Sequence, residues 1–252
     1  MIRGAVLFAV ALAAQAQQFD AASIRPPGEV PTRCTGGPGT QDPGRLTCEN
    51  FSLAWLVMMA YNLRPFQYAA PDWTRMTRFN VQATLQPDSS ADQFRAMLQH
   101  LLAERFKLAV HHERREMDGY DMVKLKKSPN LKPAASEATA TGEPAWRTPM
   151  GGPPVPATAQ LKGAGLSMPR LAQIVSDRLN RPVTDATGVS GRFDFVLTYS
   201  DAPPGPSVAA TSDNGLDIEG ALREQLGLGL VRKKIQIDIV VVDQVEKTPV
   251  EN

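Results

Sequence analysis

Arg78-Phe79-Asn80-Val81-Gln82-Ala83-Thr84-Leu85 and Arg192-Phe193-Asp194-Phe195-Val196-Leu197-Thr198-Tyr199 are two near-copies of one pattern within a chain of 252 residues. Each opens on Arg-Phe and then alternates apolar with polar residues. Phe79, Val81, Ala83 and Leu85 share one face of an extended segment, and Phe193, Phe195, Leu197 and Tyr199 share the matching face of the other. A period of two is the mark of a half-buried strand.

The segments upstream of the two strands also match. Leu53, Leu56, Val57, Ala60 and Tyr61 stand at helical spacing behind Ser52; Leu171, Ile174, Val175 and Leu179 do so behind Ser167. Both read as one-faced amphipathic helices with a serine N-cap, and Pro169 is tolerated in a first turn. Leu56 to Phe79 and Leu171 to Phe193 differ by a single residue in length. A second helix follows each strand. Ser90-Ala91-Asp92-Gln93 is a capping box ahead of Phe94, Met97, Leu98, Leu101, Leu102 and Phe106. Asp217 caps Ile218, Ala221, Leu222 and Leu226, and Gly227 ends that helix.

Each copy closes in strands. The first is expected to run from Lys107 to Glu116, turn at Asp118-Gly119 and return over Tyr120–Leu125, because Asp-Gly is a strong hairpin signal. The second is expected to turn near Lys233-Lys234 and continue from Ile235 to Val245. Within it, Ile239-Val240-Val241-Val242 is apolar on both faces and reads as a central strand. The expected fold is therefore α+β: tandem duplicated small units, each a mostly antiparallel sheet with two helices on one face.

The flanks set the organisation. Arg3, the apolar run Ala5–Ala14 and the small-x-small ending Ala14-Gln15-Ala16 form a signal peptide over 1–16, cleaved between Ala16 and Gln17. Its apolar run is about half the ~20 residues of a spanning helix, and the mature chain has no transmembrane segment. The first unit is 17–127 and the second 159–252. A linker rich in Pro, Ala, Thr and Gly spans 128–158 and buries too little to offset its ordering entropy. Ser200 to Gly215 is a similar, shorter insertion. The expected location is periplasmic or secreted. Cys34 and Cys48 then lie in an oxidising compartment, where a disulfide worth ~3 kcal/mol competes with two free thiols.

Apolar residues make up 42% and charged residues 21%, an ordinary globular composition. Net charge is +1; without Arg3 the mature chain holds 26 basic and 26 acidic residues. Such a balance excludes nucleic acid as a partner, since that needs a concentrated basic face.

No cofactor, metal site or catalytic residue is read from the sequence. His100, His111 and His112, with Glu113 or Glu116, are the best metal candidates, but strand neighbours point to opposite faces. Gly188-Val189-Ser190-Gly191 lacks the spacing of a nucleophile elbow. Asp72, Asp185 and Asp194 suit turns and a polar strand face better than acid–base roles. Trp146, between Pro144 and Pro149, is a candidate docking residue for a partner.

Two resemblances follow from the residues. The second copy resembles the short N-terminal domain of secretins and TonB-dependent receptors in Leu171-Ala172, Pro182-Val183, Asp185, Thr187-Gly188-Val189, Gly191, Phe195 and Ala221-Leu222. That likeness implies a small sheet with two helices on one face. The whole chain resembles an acidobacterial (Solibacter-type) family of exported proteins of unknown function. The cues are Phe19-Asp20-Ala21-Ala22-Ser23-Ile24-Arg25-Pro26, Leu101–Leu108, Pro182–Phe195 and the ending Val245–Asn252. Related domains fused to membrane metallopeptidases of the β-lactam-sensor type point to sensing or partner binding. The expected function is a non-enzymatic binding or interaction module of the cell envelope, with an envelope or extracellular protein as partner. The alternatives are a sensor binding a small molecule between the two units, and a secreted hydrolase.

Overall fold

The computed structural model describes residues 18–125, 129–134, 158–200 and 216–250. The first half contains β1 (Ala21–Arg25), β2 (Arg33–Gly36), β3 (Arg45–Ser52), α1 (Leu53–Ala60), β4 (Tyr68–Ala69), α2 (Trp73–Met76), β5 (Arg78–Thr84), α3 (Ala91–Phe106) and β6 (Ala109–Lys124). The second contains β7 (Lys132–Pro133), β8 (Thr158–Ser167), α4 (Met168–Leu179), β9 (Val183–Asp185), β10 (Arg192–Ser200), α5 (Ile218–Ala221) and β11 (Leu228–Gln244). The class is α+β, as the sequence predicts.

Local signals act where they stand. Ser52 Oγ accepts from Trp55 N, and Ser90 and Gln93 form the reciprocal capping box. Asp217 accepts from Gly220 N, while Ser167 caps α4 without a side-chain bond. A π turn over Leu222–Leu226 extends α5 to Gly227, whose φ of 69° is left-handed. Lys107 takes the same left-handed conformation after α3, at φ 51°.

β5 and β10 occupy the predicted spans and bury the predicted faces. Phe79, Val81 and Ala83 are buried on β5, and Leu197 and Tyr199 on β10. The sheets are ordered β1-β5-β3-β2, β7-β10-β8 and β4-β11-β6-β9. Residues 132–133, at the start of the expected linker, thus pair along β10, antiparallel to Phe193 and Asp194.

The two closing hairpins are corrected. Neither turn exists: β6 runs straight through Asp118-Gly119 and β11 straight through Lys233-Lys234. The strands pair instead with each other, antiparallel, from Leu228↔Lys124 to Gln244↔Ala109. Complementary charges face across this ribbon. Asp118 pairs with Lys234 at 2.8 Å and Arg114 with Asp238 at 3.2 Å. Cross-strand opposite charges favour such a ladder. Gly119 serves a close approach rather than a turn: a Cβ there would stand 2.5 Å from the Pro182 carbonyl oxygen. A two-residue turn preference is overridden by a ladder along the whole of both strands.

The ribbon joins two cores. One packs Leu56, Val57, Phe79, Val81, Leu98 and Phe106, with Val110 and Val242 against it. The Phe79 and Phe106 rings meet edge-on at 4.9 Å. The other packs Leu171, Val175, Leu197, Leu222 and Leu228, and takes Met122 from the first half. β4 pairs parallel with β11 (Tyr68↔Val240), and β9 pairs parallel with β6 (Val183↔Tyr120). The central sheet therefore alternates strands of the first and second halves. Ile239 and Val240, neighbours on β11, are both buried, consistent with an interior strand.

Candidate functional site

Helix α1 reads Leu-Ala-Trp-Leu-Val-Met-Met-Ala, apolar on every side. A helix of that kind is normally enclosed all round. Here one face enters the first core through Leu53, Leu56, Val57 and Ala60, each at most 1% exposed. The other face, Trp55, Met58, Met59 and Asn62 at i, i+3, i+4 and i+7, lines a groove of about 530 Å³. Phe51 and Phe94 extend the apolar wall, and the turn Gly36-Gly37-Pro38 closes one side. A Cβ on Gly37 would touch the Phe94 ring at 3.7 Å, and its φ of 86° suits glycine.

Four arginines rim the groove: Arg64, Arg75, Arg78 and Arg95. Two are neutralised. Arg95 pairs with Asp92 one turn away on α3, and Arg64 reaches Asp177 of α4 at 3.3 Å. Arg64 also donates to the Gln173 carbonyl. The Asp177 side chain is 37% exposed, and partial loss of water pushes its carboxyl above the usual range even though Arg64, Arg170 and Arg178 pull the other way. The other two lack a carboxylate partner among the described residues. Arg75 lies over the Tyr68 ring at 5.4 Å and donates to the Tyr68 carbonyl. Arg78 donates from Nη1 to Thr32 Oγ1 at 3.1 Å and to the Asn50 carbonyl at 2.9 Å.

A second, more open hollow of about 720 Å³ lies beside β8 and β10. Two of its polar side chains, Asp194 and Gln225, are already engaged. Asp194 Oδ1 accepts from Gly165 N at 2.7 Å, and Gln225 bonds both backbone groups of Thr198. The groove beside α1, with its continuous apolar wall and two open guanidinium groups, is the better site.

The residues singled out in the sequence lie elsewhere. Cys34 and Cys48 face each other across β2 and β3 and are disulfide-bonded, with Cα atoms 4.0 Å apart. The three histidines do not converge: His100 meets Gln18, His111 meets Asp243 at 2.7 Å, and the His112 ring is tilted 60° to that of Tyr61. Among the described residues no group of three or more His, Cys, Asp or Glu is placed to hold a metal ion. Asp185 Oδ1 accepts from Thr187 N and Oγ1, building a turn. Asp72 precedes α2 without a side-chain cap bond. Ala16, Gln17 and Trp146 lie outside the described residues, as does the insertion after Ser200.

The family's sequence pattern covers residues 54–245, from α1 to the end of the ribbon. The chain belongs to the DUF3738 family, described as proteins of unknown function. No curated protein and no solved structure matches it. The matched span of this DUF3738 chain includes α1, both open arginines and Asp177, whereas β1, β2, β3 and the disulfide precede it. Among the described residues no helix is long and apolar enough to cross a membrane.

Helical periodicity alone does not mark the groove residues Trp55, Met58 and Met59. Their signal was the lack of any polar face on α1, which a search for one apolar stripe passes over.

Proposed function

We propose that this DUF3738 chain is a non-enzymatic binding module, working after export in the periplasm or outside the cell, and that the groove beside α1 is its binding site. One observation carries the reading: Trp55 and Met59 of α1 stay only half-buried on the wall of an apolar groove, beside Met58, which the first core buries. A concave, mostly apolar site with a few charged groups is the usual form of a ligand pocket, and methionines suit a surface that adapts to its occupant. The Cys34–Cys48 bond supports the export reading, because such bonds persist in oxidising compartments. We further read the two halves as copies of one unit, since both contain in order a strand, helix, short strand, strand, helix and long strand, with α2 inserted only in the first.

Nile red, an uncharged apolar dye, tests the site. The intact chain is expected to bind it at one saturable site, and Met59→Glu to weaken that binding at least tenfold while circular dichroism stays native. No saturable binding, or equal binding by the folded variant, sinks the assignment. A second reading, a sensor bridging both halves, is favoured by Asp177 and Asn180 of the second half at the groove's edge. Dye binding would then increase hydrogen-exchange protection of α4; an unaltered α4 excludes it.

A further inference from the structure

The proposed site leaves open what it takes, and its charge pattern narrows that choice. Resting on the groove as the binding site, we propose that its occupant is a single-chain amphiphile with a carboxylate head, the head held by Arg78 and Arg75 and the chain laid along Trp55, Met58 and Met59.

A site of about 530 Å³ falls within the range of small-molecule pockets, too little for a folded partner's interface. The wall gives the body of the ligand. Trp55, Met58 and Met59 follow one another at helical spacing, so they form a strip along the helix axis that favours an elongated apolar chain. Flexible thioethers and an indole face accept a mobile hydrocarbon without needing one fixed shape.

The rim gives the head. Asp92 and Asp177 answer Arg95 and Arg64, so the uncompensated charge lies on Arg75 and Arg78. The bonds of Arg78 to the described residues all leave from Nη1. Its Nε and Nη2 edge remains open, and that edge is the two-pronged fork that matches the two oxygens of a carboxylate. Anchoring of Nη1 by Thr32 and Asn50 holds the fork in place before any ligand arrives, which lowers the ordering cost of binding. Arg75 is likewise steadied by the Tyr68 ring and carbonyl. A cationic head would meet two guanidinium groups, and an uncharged one would leave them without a partner.

The test uses the intact, disulfide-bonded chain and four probes with twelve-carbon chains, each below its micelle concentration or solubility limit: dodecanoate, dodecyl phosphate, dodecanol and dodecyltrimethylammonium. Binding is followed by calorimetry and by displacement of Nile red. Dodecanoate is expected to bind at one site, to displace the dye, and to bind at least tenfold more tightly than the alcohol or the cation. In Arg78→Gln and in Arg75→Gln its affinity should fall at least tenfold further than that of Nile red. Having two variants keeps the test decisive if one of them folds poorly. Equal binding of alcohol and carboxylate overturns the proposal, as does tighter binding of the phosphate or an unchanged dodecanoate affinity in both variants. If Nile red binds the wild-type chain and dodecanoate does not, the head assignment alone fails. If neither binds, the site itself fails.

Discussion

Asp177 shows how a single side chain can matter to both halves. It meets Arg64 across the boundary between α4 and the loop after α1, yet its carboxyl still titrates above the ordinary range because desolvation outweighs the arginines. An acid whose native pKa lies above its unfolded value takes up protons on folding. Stability therefore falls as pH rises from about 4, the unfolded aspartate value, through the raised native value, and stays reduced above it. Asp177→Asn removes the charge and is expected to raise Tm at neutral pH, with the gain shrinking to nothing below about pH 4. Melting curves of both proteins across that interval check it; a variant less stable at neutral pH would mean that the bridge to Arg64 outweighs desolvation. The left-handed residues Lys107 and Gly227 make a related point about local chemistry. Both end a helix in the same conformation, but only the glycine does so without a steric penalty, and only the glycine is readable in the sequence as a stop.

At the level of elements, the swapped strands decide what each half can do alone. β11 lies between β4 and β6, and β6 lies between β11 and β9, so each half supplies strands to the other's sheet. Met122 of β6 belongs to the second core, and Val242 of β11 packs on the first. Residues 17–134 and 158–252, made as separate polypeptides, are each expected to give poorly dispersed amide spectra, and their equimolar mixture to recover native-like dispersion. A half that folds by itself with a cooperative melt would contradict this. The elements that were legible in the sequence are those set by their own residues: the alternation in β5 and β10, the Ser90 capping box, the glycine stop at Gly227. The ribbon was not legible because its pairing is set by the other half, and Asp118-Gly119 imitates a local turn. A trace of it was present in complementary charges, with Asp118 and Arg114 on one strand answering Lys234 and Asp238 on the other. The groove escaped for a different reason. Periodicity finds the buried face of a helix, and α1 has no polar face by which to notice that Trp55 and Met59 stay only half-buried.

For the whole molecule, the proposal that the chain works after export makes a direct prediction. Intact mass measurement of the protein recovered from the envelope or medium of its producing cells is expected to show a polypeptide beginning at Gln17 with Cys34 and Cys48 oxidised; a chain beginning at Met1 with two thiols would refute the export reading. The position of β11 adds a constraint on timing. It follows β4 and β6 in sequence, yet it fills the lane between them in the shared sheet. Any machine that delivers the polypeptide from its N-terminus leaves β4 and β6 with a vacant lane between them until Gln244 has emerged. Both cores thus close only once β11 has been made, and a product terminated before it exposes both interiors at once to quality-control proteases.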